Sequence, residues 1–591
     1  MATEGQHFQW TRHVQHIGTT TESEPRLFDL CLFDHNNESV TPQGAVRKVG
    51  DGDTFLKLSD EESVREGEQF HARAVGTLVG SYGARLVEIY FERVHPGFPI
   101  LHKQRVLGDL ADPRQRIPPP LFAAICLLAL RWWHQVPGLA NEQKPNPGDL
   151  EQAALNSLES AMAKPRFSTI QAGLLLQQRA GGESWPLTSQ LVALGQELGL
   201  HLDCSQWQIP SWERGVRKRL AWALFMQDKW GSLIHGRPSH IFRANWAVGE
   251  VTDEDFDEDD TLEEGLEAQK MRLLFTQTIA LTGLLSDVLD AFYTLQAARE
   301  AETAGENGTQ LILDRAKPIQ IKLKDWFKRL PPCLRMDHTD SGNLSSTGWL
   351  NIDIIKFCLL TTALGYLHLA YYATEITLHR CIVRSLRPLE TDPYLLHICR
   401  SAAKTRLISA MDFVNRLKPE HLRSFWYFAS RVNFALIGTF GSLLWATAPS
   451  KEEADFYRLR LGEYRWTLTV SSRSAKFIAF AVDALDSSTL LLQNLQEKPS
   501  ISSGIKREPQ DLEHDRTMVD VASVMHSSDF EPSGNGGGSS GDPSSTASGL
   551  ASPSTSSSTG SGSRDAQTAP SEPFELIKTE DASFDFLPDR R

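Results

Sequence analysis

Trp212 to Pro238 reads WERGVRKRLAWALFMQDKWGSLIHGRP. Val216, Leu220, Leu224 and Phe225 recur at three-and-four spacing, and Trp222, Met226 and Trp230 lie close by, so the stretch predicts a mostly buried α-helix. Gly236 supplies its stop, because a residue without Cβ closes a helix C-terminus without steric penalty. Arg214, Arg217, Lys218 and Arg219 fall in the first turns, where the helix dipole disfavours cations, so they need compensating partners. Phosphate is one such partner. The acidic run Asp253, Glu254, Asp255, Asp257, Glu258, Asp259 and Asp260 supplies carboxylate for internal pairing, so an internally paired or merely solvated basic group is favoured over a phosphate-binding one. Asp228 and Arg237 would approach each other if the chain turns at Gly236, and an ion pair between them is expected to fix the following loop.

Working outward, the same helical period recurs from Arg73 to Val94, Leu121 to Trp133, Gln152 to Met162, Thr169 to Gln178 and Ser189 to Leu198. It continues from Leu262 to Leu295, Ile354 to His379, Tyr394 to Leu417, Phe425 to Ala446 and Ser474 to Leu495. Alternation of the strand type is scarce, so the fold class is all-α, a multi-helix domain rather than a parallel sheet. Residues 1–70, with turns such as Gly50-Asp51-Gly52-Asp53, predict an irregular N-terminal segment. The helical body spans 71–496, and 297–312 predict a polar loop within it. Residues 497–591 form a Ser/Gly-rich linker and acidic tail, too poor in apolar groups to offset chain entropy, and are expected to be disordered.

Charge divides in the same way. Of the net −14, residues 501–591 contribute −8, from 7 basic and 15 acidic side chains, leaving −6 on the rest. An acidic surface repels phosphate, which argues against direct DNA binding. The 7 cysteines are far apart and match no closely spaced metal motif. Histidines 95, 102, 201, 235, 368 and 379 stand in no ligand pair, so no metal is expected. Gly537-Gly538-Ser539-Ser540-Gly541 fits the GxSxG pattern of hydrolases, but within a Ser/Gly spacer the match is spurious. With no phosphate-cradling loop either, the chain is expected not to be an enzyme. Two uncharged stretches, 357–374 and 432–450, carry enough polar groups to read as buried helices rather than membrane spans. The N-terminus lacks the basic start and apolar core of a signal peptide.

The 212–238 segment resembles the signature of the middle homology region of fungal zinc-cluster transcription factors, with Trp222, Asp228, Gly236, Arg237 and Pro238 at its signature positions. The run from Tyr90 through His95-Pro96-Gly97-Phe98-Pro99-Ile100-Leu101 to His102 is similar to the family's opening motif. Thr169-Ile170-Gln171 through Leu176 and Leu198-Gly199-Leu200-His201 are similar to its next blocks, in family order. Leu378-His379-Arg380 extends the likeness more weakly. The first motif, with Pro118-Pro119-Pro120-Leu121 and Trp132-Trp133, resembles especially the TamA-type co-activators of nitrogen metabolism. The resemblance implies a nuclear regulator of polymerase II genes with an all-α domain used for control, ligand response or partner contact, normally preceded by a zinc cluster. Six thiolates are needed for that cluster, and residues 1–80 hold only Cys31, so no cofactor is expected in these residues. Either the cluster is carried upstream of Met1, or the protein reaches DNA through DNA-bound partner proteins.

In the tail, Phe574, Leu576, Ile577, Phe584, Phe586 and Leu587 alternate with Glu572, Glu575, Glu580, Asp581, Asp585 and Asp589. Acidic groups keep such apolar side chains accessible for a co-activator groove, as in activation segments. Lys506 and Lys578 sit in apolar-Lys-x-Glu patterns of the kind read by SUMO-conjugating enzymes. Three readings stay open: a co-activator working through protein partners, an inhibitory truncated or scaffold form that titrates those partners, and a helical ligand-binding protein or enzyme. A small-molecule effector is compatible with each.

Overall fold

The computed structural model describes residues 13–28, 30–41, 44–50, 52–57, 62–112, 116–179, 181–256, 262–336, 353–388, 391–493 and 498–499. Everything predicted for 501–591, including the acidic-aromatic positions, Lys506 and Lys578, lies outside them.

The chain enters through four short strands, β1 (Val14–His16), β2 (Glu38–Thr41), β3 (Gly44–Lys48) and β4 (Thr54–Lys57). They form an antiparallel sheet in the order β1-β4-β3-β2, with Val46 opposite Leu56 and Gln15 also opposite Leu56. The reading of residues 1–70 as irregular is therefore corrected. The turn around Gly50 and Asp53 is real and joins β3 to β4, but each flanking run is only four or five residues long, too short for alternation to register. Val14 and Phe55 share one face of the sheet and are buried in the main core, so that face is packed.

The body is helical, as its periodicity predicts. A four-residue turn α1 (Pro25–Phe28) precedes α2 (Glu62–Val79), α3 (Gly83–Arg93), α4 (Lys103–Ala111), α5 (Pro119–Ala129), α6 (Pro147–Met162) and α7 (Phe167–Gln177). Then come α8 (Trp185–Glu197), α9 (Ser211–His235), α10 (Leu262–Phe292), α11 (Leu295–Thr303) and α12 (Gly308–Arg329). The last helices are α13 (Asp353–Ser385), α14 (Pro393–Asn415), α15 (Pro419–Arg423), α16 (Ser430–Ala446), α17 (Lys451–Ser472) and α18 (Ala479–Leu492). The single helix expected from Arg73 is broken at Gly80, whose φ of 60° leaves the helical region. The loop expected at 297–312 is replaced by α11 and the first turn of α12. Thr294 caps α11 by accepting from the Ala297 amide at 3.1 Å, a start signal masked by the polar composition that follows.

Packing divides along the chain. α5 lies against α3, α6 and α7, while α13 lies against α10, α12, α14 and α16. α9 bridges the halves by touching α7, α8 and α10. The two uncharged stretches fall in α13 and α16, which pack on each other. Among the described residues, Glu267–Phe292 of α10 is long and apolar enough to cross a membrane, and half of it is buried in the structure. The end of α15 and the segment after it return to the N-terminal half: Trp132 Nε1 donates to the Arg423 carbonyl at 3.1 Å, and the Tyr427 hydroxyl to that of Gly97 at 2.9 Å.

Candidate functional site

The sequence blocks singled out above meet around α9, and its basic side chains join them. Arg219 is 1% exposed and donates to the carbonyls of Pro99 (2.7 Å) and Leu101 (3.4 Å), in the loop that ends the first motif. The same loop is held at Ile100, whose carbonyl accepts from Gln171 Nε2 of α7 at 2.7 Å, and His95 Nε2 lies 3.1 Å from the Leu101 carbonyl oxygen. Arg217 is 2% exposed and donates to the carbonyls of Leu198 (3.0 Å) and Gly199 (3.4 Å), which begin the block before α9. Its guanidinium sits 4.4 Å from the ring of Trp207 and 4.7 Å from that of Phe167, so the cation faces aromatic π-clouds where water would otherwise be. Burial pushes the Arg217 pKa down to about 10, still cationic at neutral pH.

Of the two partners proposed for this basic group, the internal one holds, mostly through different atoms than expected. Lys218 does pair with Asp255 at 3.2 Å. Arg214 donates to the carbonyls of Ile209 (2.7 Å) and Trp207 (3.2 Å). Carbonyl oxygens and rings thus take up most of the positive charge. A buried carboxylate accompanies them: Glu213, 1% exposed, makes no hydrogen bond from either oxygen among the described residues. Burial pushes its pKa up to about 7, against the pull of Arg217, Arg47 and Arg105.

At the other end of α9 the Asp228–Arg237 ion pair is not formed. Arg237 is exposed, and Asp228, 0% exposed, faces the chain beyond it. Asp228 accepts from the amides of His240 (3.0 Å) and Ile241 (3.1 Å), from Ser239 Oγ (2.5 Å), and faces His240 Nδ1 at 2.9 Å. Two backbone donors arranged by the turn outcompete a flexible guanidinium that solvates better outside. Lys229 completes the cluster by donating to Ser239 Oγ and the Ile241 carbonyl, each at 2.6 Å. The His240 ring stacks on Trp185 with centroids 4.2 Å apart.

Gly236 caps α9 in the left-handed region, at φ 61° and ψ 40°. The Arg237 amide donates back to the Ser232 carbonyl at 3.1 Å, and Ser232 Oγ to the Arg237 carbonyl, so the turn closes on itself. Pro238 is exposed. Trp222 Nε1 donates to the Gly249 carbonyl at 2.9 Å and holds the returning chain against the helix. Ser239, His240, Lys229 and Glu213 are members of this buried polar network that the sequence pattern did not single out. An Asp-Lys pair at a helix end followed by Ser-His was the signal available.

Among the described residues no group of three or more His, Cys, Asp or Glu side chains is placed to hold a metal ion. His102 instead caps α4, accepting from the Arg105 amide, and His368 Nε2 donates to the Leu334 carbonyl at 2.9 Å.

A long helix whose polar side chains are turned inward onto neighbouring backbone defines a helical domain organised by one scaffold helix. Residues 87–328, which contain the blocks from Tyr90 to Pro238 but not Leu378-His379-Arg380, match the fungal specific transcription factor domain. The chain is 33% identical over 494 residues to the transcriptional activator protein DAL81 of Saccharomyces cerevisiae, covering 76% of this chain and 49% of that one. It is 28% identical over 313 residues to the uncharacterized transcriptional regulatory protein C25B8.11 of Schizosaccharomyces pombe, covering 51% of this chain and 44% of that one. With the acetamidase regulatory protein of Aspergillus fumigatus it shares 25% identity over 347 residues, covering 56% and 40% of the two chains. The chain thus spans about half the length of the curated relatives it matches. No solved structure matches.

Proposed function

We propose that the protein is a nuclear regulator of transcription whose helical body receives a partner or metabolite signal and whose acidic tail recruits co-activator proteins. The observation that carries this reading is the match of residues 87–328 to a transcription factor domain, together with relatives named as transcriptional activators and regulators. The way α9 places its charge supports it. Arg217, Arg219, Asp228 and Lys229 are committed to backbone groups, so they serve architecture and leave binding to other surfaces.

Contact with DNA runs through a DNA-bound partner protein or through a zinc cluster carried upstream of Met1, and the genes served are metabolic, nitrogen metabolism foremost, on the resemblance of the first motif to TamA-type co-activators. Residues 574–587 are the recruiting surface, in which Phe574, Phe584 and Phe586 are the anchors and the interleaved carboxylates keep them hydrated until a groove is met.

The test fuses the full chain to a foreign DNA-binding domain beside a reporter. Reporter output is expected to rise, and Phe574→Ala, Phe584→Ala and Phe586→Ala together to remove most of the rise. No activation, with competition against a native activator instead, would make the protein a scaffold that titrates partners.

A further inference from the structure

α17 carries two stripes. Ala454, Tyr457, Leu461, Tyr464 and Leu468 are buried, and the helix packs on α14, α16 and α18. On the opposite face Asp455, Leu459, Gly462, Trp466, Val470 and Arg473 follow one another at three-and-four spacing, and each is exposed. The exposure of the large apolar members is 65% for Leu459, 69% for Trp466 and 42% for Val470. An apolar line on the solvent side of a helix whose other side is already packed marks a contact surface. Gly462 lies in the middle of it. Glycine inside a helix is less stable than alanine, and nothing within the chain requires it here, because a Cβ built on Gly462 would meet nothing within 4 Å. What its bare backbone provides is a notch, one turn from Trp466, where a second helix can approach closely.

The order of these residues selects that helix. About a two-fold axis level with Tyr464, an antiparallel copy of α17 sets its Trp466 against Gly462, its Val470 against Leu459 and its Arg473 against Asp455. A parallel copy would instead oppose Asp455 to Asp455 and Arg473 to Arg473, which repel. Arg473 ends α17 in helical conformation and takes no ion pair among the described residues, while Asp455 pairs within its own helix, with Arg458 at 3.1 Å. We infer that two copies of this chain associate through α17, antiparallel, with the Trp466 indole of each seated over Gly462 of the other and Asp455 paired to Arg473 at both ends. The Lys451 amide donates to the Pro499 carbonyl at 3.0 Å, so the chain leaves the body for the tail at the start of α17. The pairing therefore starts the two tails from opposite ends of the helix pair, roughly 33 Å apart for a helix of 22 residues. One helix pair buries less than the roughly 1,200 Å² of a lasting interface, so the dimer is transient, with a Kd on the order of 10 µM.

Sedimentation velocity of the purified full chain from about 1 to about 100 µM brackets that Kd. The average mass is expected to rise from 66.0 kDa toward twice that value. Trp466→Ala is expected to weaken association at least about tenfold, as loss of a central aromatic anchor does. Gly462→Leu fills the notch and weakens association several-fold, while the Tm at concentrations where the wild type is monomeric stays at or above the wild-type value. That pair of readings separates lost association from lost folding. The charges report the register. Asp455→Arg and Arg473→Asp each weaken association several-fold alone, and an equimolar mixture of the two variants recovers it, because each then meets an opposite charge at both ends. A chain that stays monomeric to about 100 µM would overturn the inference and leave the face to a different protein or to the chain's own tail. A dimer that Trp466→Ala and Gly462→Leu leave intact, or charge variants that do not recover on mixing, would overturn it as well.

Discussion

Two parts of the body bury charge on long helices, and they treat it differently. Around α9, the buried cations Arg217, Arg219 and Lys229 and the anion Asp228 each reach hydrogen-bond partners at 2.5–3.4 Å, several of them backbone groups of other elements. At the junction of α12, α13 and α14 the burial is as deep, but the pairing is loose. Arg406 Nε stops 3.6 Å from Glu375 Oε1, longer than a hydrogen bond. His379 is 1% exposed with neither ring nitrogen bonded among the described residues, and the partly buried Trp326 likewise leaves its Nε1 unbonded among them. The first arrangement fixes loops that lie far away in sequence, so its removal should cost far more than removal of the second, where a polar group without partners is a burden on the fold.

The largest effect is expected from Asp228→Ala. It leaves the His240 and Ile241 amides and the Lys229 ammonium facing a cavity, and loses about 4 kcal/mol of stability, within the range for breaking a buried charged network. Chemical denaturation would show the midpoint fall. A loss near zero would mean that the Ser239–Ile241 turn holds without it, and the contrast between the two regions would fail.

At the second region the sign reverses. Burial, with Arg406 and Lys324 nearby, pushes the His379 pKa down to about 3 from its ordinary 6.5. A folded pKa below the unfolded one means that stability is complete above pH 6.5 and drains away as pH falls toward 3, because the unfolded chain takes up the proton first. His379→Leu removes both the unpaired nitrogens and that linkage. It is expected to gain about 1 kcal/mol at pH 8 and about 2 kcal/mol more at pH 5. Unfolding curves at the two pH values measure the difference, and a variant that gains nothing at pH 5 would show that His379 is hydrogen-bonded after all.

The two regions also differ in how far the sequence discloses them. The α9 segment carries a regular apolar period and a glycine stop, so its helix and its burial follow from spacing, while its clustered basic group was open to phosphate, internal partners or solvent. What did not follow were partners whose identity depends on the path of another segment, such as Pro99 and Leu101 for Arg219, or Ser239 to Ile241 for Asp228. Carbonyl oxygens belong to every residue and leave no mark in composition. The junction was less legible still. Pro318 and a dense set of charges hide the period of α12, yet Pro318 sits inside that helix. The sheet at 14–57 escaped for a different reason, being built from strands too short to show a period of two.

The smallest expected change tests the turn that directs the chain from α9 to the Asp228 cluster. Gly236 is at φ 61°, and a Cβ built on it would meet nothing within 4 Å, so substitution there carries a backbone cost and no steric one. Gly236→Ala should lose about 1 kcal/mol, the cost of the left-handed region for an L-residue, and Gly236→Asn less, because its short polar side chain tolerates that region. Since the Ser232 and Arg237 bonds are retained in both variants, the Ser239–Ile241 segment should keep its contacts with Asp228, and amide exchange of His240 and Ile241 should be nearly as slow as in the wild type. Faster exchange in the alanine variant, at equal global stability, would show that the cap and the carboxylate hold the segment jointly rather than the carboxylate alone.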